Sequence, residues 1–149
     1  MKQPWLVGAL TLCADQLTKW LVVSCFAPGQ SLPMFPPLLY LTYVQNTGAA
    51  FGLFKGQQVL FILLAVGVIA YLVRTLLSGK PLAAVTAWGS ALILGGAAGN
   101  LLDRLRLGYV IDFLDLRVWP VFNIGDSAIT IGVVLLLWQG LHREKVPGT

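Results

Sequence analysis

Leu82-Ala83-Ala84-Val85-Thr86-Ala87-Trp88-Gly89-Ser90-Ala91-Leu92-Ile93-Leu94-Gly95-Gly96-Ala97-Ala98-Gly99-Asn100-Leu101-Leu102 contains no charged residue, and Asp103-Arg104 follow it at once. A helix needs roughly 17–25 mostly apolar residues to cross a bilayer, and this stretch has that length. Its Gly95–Gly99 segment puts small residues on successive turns, which lets a neighbouring helix approach closely. Three further stretches read the same way, at about 5–26, 57–77 and 124–141. The composition agrees, with 57% hydrophobic and 11% charged residues where an average soluble domain carries roughly 25% charged. The expected fold class is membrane α-helical, with four transmembrane helices in a single membrane domain over residues 1–149.

An even number of spans puts both termini on one side. Lys2, Arg74, Lys80, Arg143 and Lys145 would then share that side, against Lys55, Arg104, Arg106 and Arg117 on the other. The excess favours cytoplasmic termini. The net charge of +4 flanks apolar runs and forms no basic patch, so membrane lipids are expected partners and nucleic acid is not. Lys2 before an apolar run resembles a secretory leader, but Asp15 and Lys19 fall inside what would be its uncharged core. The segment is read as an uncleaved first helix. Cys13 and Cys25 lie too far apart along that helix to pair.

Two longer connections, about 27–56 and 103–123, face outward and carry most of the polar chemistry. In the first, Pro28, Gly29, Pro33, Pro36 and Pro37 break any helix. Leu38–Val44 then has the aromatic and β-branched content of a strand, and Asn46-Thr47-Gly48 reads as a turn. Ala49–Phe54 is apolar but too short to span and is expected to lie along the membrane surface. A small extracytoplasmic strand cradle with an interfacial segment follows.

The acids are the clearest functional signal. Apart from Glu144 they are all aspartates, Asp15, Asp103, Asp112, Asp115 and Asp126, set in or beside apolar runs. A carboxylate at the bilayer centre costs about 2.5–3.5 kcal/mol on insertion scales, so such groups call for a function. Each has an ordinary reading too. Asp15 and Lys19 stand one helical turn apart and can neutralise each other; Asp112 in Val110–Asp115 reads alone as a loop carboxylate; Asn123-x-x-Asp126 serves as a helix cap.

Convergence shifts the balance. Helix 3 ends and helix 4 begins on the same side, gathering Asn100, Asp103, Asp112, Asn123 and Asp126 at one rim. Two aspartates held close share a proton, giving one acid and one base, which suits amide hydrolysis by water. Asp112 and Asp126 are the candidate pair. The only histidine, His142, lies in the tail, so no Ser-His-Asp or Cys-His site can be built there. Zinc-ligand spacings and phosphate loops are missing as well, and neither a metal nor another cofactor is expected. A small transporter with an Asp15–Lys19 relay is the rival reading, but it leaves the outer cluster unexplained.

Five motifs in order carry a resemblance over nearly the whole chain: Asp15-Gln16-Leu17-Thr18-Lys19, Asn46-Thr47-Gly48-Ala49-Ala50-Phe51-Gly52, Gly95–Arg104, Val110-Ile111-Asp112-Phe113 and Phe122-Asn123-Ile124-Gly125-Asp126-Ser127. The sequence closely resembles the lipoprotein signal peptidases, or signal peptidases II, of bacterial inner membranes. The resemblance implies a membrane aspartyl endopeptidase that cleaves prolipoproteins N-terminal to their diacylglyceryl-modified cysteine. By motif it makes Asp112 and Asp126 catalytic, with Asp15, Lys19, Asn46, Gly48, Asn100, Asp103, Arg104 and Asn123 supporting them or binding substrate. Gly125 stands where that family more often has alanine, and the stretch from Asp112 to Asp126 looks short. One chain supplies both aspartates, so a monomer suffices, and Tyr40, Tyr43 and Phe51 are expected to clamp the peptide.

Overall fold

The computed structural model describes residues 3–48, 56–79 and 81–143. In chain order these form α1 (Gln3–Cys25), β1 (Ser31–Phe35), β2 (Leu39–Asn46), α2 (Gln58–Leu77), α3 (Ala84–Leu107), β3 (Val110–Asp115) and α4 (Ile124–Arg143). Among the described residues, α1, α2, α3 and α4 are each long and apolar enough to cross a membrane. The apolar surface segment expected at Ala49–Phe54 lies outside the described residues.

The small residues of α3 make it the central helix. It packs against α1, α2 and α4, and 56% of its most apolar window is buried, against 11% in α2. A Cβ at Gly96 would meet the carbonyl oxygen of Gly125 on α4, and one at Gly99 would meet the Asp15 carboxylate on α1. Leu63, Leu64 and Val66 of α2 and Val134 and Leu137 of α4 face outward. For helices in lipid such faces carry no penalty, because lipid tails are as apolar as leucine.

The helix ends differ from the sequence expectation in one useful way. α3 continues past Leu102 to Leu107 and stops at Gly108, whose φ of 79° suits glycine. Asp103 and Arg104 therefore sit within the central helix, on the turn after Asn100, as their spacing of i+3 and i+4 from it implied.

The strands form one antiparallel sheet in the order β1-β2-β3. β1 adds to the one strand expected at Leu38–Val44, and it takes Pro33 at the sheet edge, where a missing N–H costs least. Val110–Asp115 is strand β3 and not a loop, because its backbone pairs with β2 while its apolar side chains fill the space between sheet and bundle. Ile111, Phe113, Tyr43 and Val22 form that core. Tyr43 is 3% exposed, which removes it from the expected peptide clamp, and Phe51 lies outside the described residues. The register shifts between Leu41 and Val44 of β2, opposite Phe113, one step before Val44 pairs with Asp112. Such bulges re-aim neighbouring side chains.

Candidate active site

Asp112 enters the site from β3 and Asp126 from the first turn of α4. Asp112 is 1% exposed, whereas Asp126 is partly open. Both line one cavity of about 270 Å³, together with Asn46, Gly48, Asn100, Arg104 and the wall Trp119–Phe122.

Three carboxamides hold the two acids. Asn46 donates to Asp112 Oδ2 at 2.8 Å, and its own Oδ1 takes the Gly48 N–H at 2.9 Å. That second bond closes the turn expected at Asn46–Gly48. Asn123 Nδ2 donates to Asp112 Oδ1 at 2.7 Å, and Asn100 Nδ2 to Asp126 Oδ1 at 2.8 Å. The helix-cap reading of Asn123 is correct as well. Its Oδ1 accepts the Asp126 N–H at 2.8 Å while Asp126 Oδ2 accepts the Asn123 N–H at 3.2 Å, a reciprocal capping box. Capping leaves Asp126 Oδ1 to the site, so the ordinary role and the functional one coexist.

Beneath this layer lies a buried ionic one. Lys19 Nζ is 2.8 Å from Asp15 Oδ2, 2.8 Å from Asp103 Oδ2 and 2.8 Å from Asn100 Oδ1. An ammonium has three donors, and all three are used. Asp15 Oδ1 accepts the Gly125 N–H at 2.8 Å, which ties α1 to the start of α4. Asp103 Oδ2 accepts the Ile111 N–H at 3.2 Å, which ties α3 to the residue before Asp112. Asp15, Lys19 and Asp103 thus fix the elements that present the aspartates and do not face the cavity themselves.

Gln16 is a participant that sequence reasoning missed. Its Nε2 reaches Asp103 Oδ1 at 3.0 Å, the Gly99 carbonyl at 3.2 Å and Asp15 Oδ2 at 3.3 Å. The available signal was a third polar side chain beside Asp15 in an apolar span. Arg104 borders the cavity with its guanidinium 4.9 Å from the Phe61 ring centroid and Nη2 3.4 Å from the Gly48 carbonyl. Its Nε is buried without a hydrogen-bond partner among the described residues.

Burial pushes the Asp112 carboxyl up, and the neighbouring Asp126 charge reinforces it; donors from Asn46 and Asn123 and the charge of Lys19 oppose this only in part. The carboxyl is raised from 3.8 to about 7. A group with that value can hold or release a proton at neutral pH, which is what general acid–base chemistry requires.

Four apolar helices with two cross-linked carboxyls at one mouth have the make-up of a membrane-embedded aspartic peptidase. The family model described as signal peptidase (SPase) II matches residues 7–142. Curated relatives named lipoprotein signal peptidase include one from Moorella thermoacetica, 47% identical over 137 residues and covering 90% of this chain and 89% of the relative. Another, from Halothermothrix orenii, is 43% identical over 142 residues, covering 95% and 97%. The chain belongs to the signal peptidase II family, an aspartic peptidase family. Two solved bacterial membrane enzyme structures share the fold, with TM-scores of 0.89 and 0.86 at 28% and 30% identity. The first comparison covers 100% of this chain and 95% of the other, and the second 95% and 94%.

Proposed function

We propose that Asp112 and Asp126 are the catalytic pair with which this peptidase removes signal peptides from prolipoproteins, cutting N-terminal to the diacylglyceryl-modified cysteine. The observation that carries the reading is that both carboxyls line one cavity and are joined through Asn123. Asp112, buried and raised in pKa to about 7, carries the proton in the reactive form and polarises the scissile carbonyl. Asp126, partly open to the cavity, takes a proton from the attacking water. The pair titrates as a unit, so this division describes the starting state. Asp112 then gives its proton to the leaving amine.

Asn46, Asn100 and Asn123 orient the pair. Arg104, which lines the cavity, stabilises the negative charge that develops on the carbonyl oxygen, as a preorganised cation does. Gly48 shapes the same edge. Asp15, Lys19 and Asp103 support these groups from below.

α2 and α4 both pack on α3, and the lipid chains of the substrate stay in the bilayer beside them. Placing the cavity at the outer face and both termini in the cytoplasm agrees with the distribution of Lys and Arg. A single chain supplies every group named, so the working unit is a monomer in its lipid surroundings.

The test is turnover of a purified diacylglyceryl-modified prolipoprotein by Asp112→Asn and Asp126→Asn, each shown to be folded in detergent. Loss of at least about 10³-fold in both is expected, as for members of one catalytic unit. Full activity in either folded variant would reduce that aspartate to a structural residue.

A further inference from the structure

A second closed polar ring sits at the rim of the sheet, away from the carboxamides. Asp115 ends β3 and is 6% exposed. It accepts Thr42 Oγ1 at 2.7 Å through Oδ2 and the Arg117 N–H at 2.8 Å through Oδ1. Arg117 Nε lies 3.5 Å from Asp115 Oδ2, and Arg117 Nη2 donates to Ser31 Oγ at 2.8 Å. Ser31 and Thr42 complete the circuit, hydroxyl to hydroxyl, at 2.8 Å. The guanidinium also lies 3.8 Å from the Tyr40 ring centroid. Each strand contributes to the ring: Ser31 from β1, Tyr40 and Thr42 from β2, Asp115 from β3.

The ring holds a strained reversal. Arg117 has a φ of 63°, unusual for a residue with a side chain, and the Val118 N–H donates to the Leu116 carbonyl at 2.8 Å across it. That pattern is the γ-turn with positive φ at its centre, a rare turn that needs outside support. Beyond the turn the chain runs directly into the cavity. Trp119, Pro120, Val121 and Phe122 line it together with Asp112 and Asp126. At its far end this wall is tied to β3, where the Phe122 carbonyl accepts the N–H groups of Phe113 and Leu114 at 3.0 and 2.7 Å. Between those two fastenings Val118 is 90% exposed, and the ring and the Phe122 carbonyl anchor the wall at its two ends.

We propose that Asp115 and Arg117 are positioning residues for the peptidase reaction, holding Val118–Phe122 as the wall against which the peptide lies beside the two aspartates. The inference rests on the assignment of Asp112 and Asp126. Neither Asp115 nor Arg117 touches the reacting atoms. A half-exposed ion pair by itself contributes little to stability, and this one is built into a turn that only the ring makes tenable.

Arg117→Ala and Arg117→Lys are expected to raise KM for a lipidated prolipoprotein about tenfold with kcat within about twofold of wild type. Lysine keeps the charge but cannot reach the serine, the carboxylate and the ring face together. Thr42→Val should act in the same direction, and Thr42→Ser should restore wild-type KM. General destabilisation would lower kcat through the folded fraction and leave KM alone, so that outcome overturns the proposal. Asp115→Ala is a riskier variant for folding, but the Arg117 side chain is 47% exposed and its variants retain the buried core. Asp112→Asn is assayed beside them. If it is inactive while Arg117→Ala keeps wild-type KM, the ring has no positioning role; if it is active, the assignment beneath the proposal fails.

Discussion

Asn123 donates its side-chain N–H to Asp112 at 2.7 Å while its side-chain oxygen caps the N–H of Asp126 at 2.8 Å. One uncharged residue, with no exposure to solvent, thus sets both members of the proposed pair. Asn123→Ala should lower kcat by about 10²–10³-fold, as removal of a preorganised polar partner does elsewhere. Loss of the cap should cost about 1 kcal/mol. Kinetics together with a denaturation curve would separate the two effects, and a variant with lower stability but unchanged kcat would confine Asn123 to capping.

The Asp112 carboxyl sets a pH dependence with a definite sign. Folded, it titrates at about 7; its ordinary value is 3.8. Between those values the native state binds more protons than the unfolded chain, so stability falls as pH rises through the window. At about 1.4 kcal/mol for each pH unit, the loss has an upper bound of about 4 kcal/mol. Asp112→Asn should abolish that slope, making the variant increasingly the more stable protein from pH 4 to pH 8. Turnover by wild type should decline above about pH 7 as the shared proton is lost. Parallel melting profiles for the two proteins would remove the carboxyl from this role.

Lys19 is paired with two carboxylates and one carboxamide. Lys19→Met leaves Asp15 and Asp103 buried without their cation, and breaking a buried pair in this way costs about 3–5 kcal/mol. The variant should melt far below wild type. Adding Asp103→Asn should recover part of the loss, and a double variant no better than the single would show that the charges are not coupled.

At Gly99 there is no space for a side chain, since a Cβ would meet the Asp15 carboxylate. Gly99→Ala should therefore displace Asp15 from the Gly125 N–H and destabilise the protein by about 1–3 kcal/mol, the usual range for overpacking. At Gly67, where nothing lies within 4 Å, the same change should be neutral or slightly stabilising. Melting temperatures of the two variants give the comparison, and equal values would mean that α1 can move aside.

The spans were legible because a bilayer demands long apolar runs, and the rim could be placed because α3 ends where α4 begins. Asp112, Asp126, Asn100 and Asn123 came together as their positions along the chain implied. Other features depend on contacts that spacing cannot reveal. Lys19 has an obvious partner one turn away in Asp15, but its second, Asp103, is known only once α1 and α3 are packed. Asp112 in β3 was read alone as a loop carboxylate; carboxamides from Asn46 on β2 and from Asn123, just before α4, hold it in the strand. β1 went unnamed because its prolines were read only as helix breakers, and an edge strand tolerates a residue without an N–H. The Asp115–Arg117 ring escaped notice because its logic is a backbone turn with positive φ, and arginine does not advertise one.

Asp112 rides on the sheet, and Asp126 rides on a helix long and apolar enough to cross a membrane. The spacing of the two carboxyls is therefore not a property of either half but of how one is seated on the other. Asn123, Asp103 and Asp15 do that seating, since their hydrogen bonds reach Asp112, Ile111 and Gly125 and so fasten β3 and the start of α4 to one another and to the bundle.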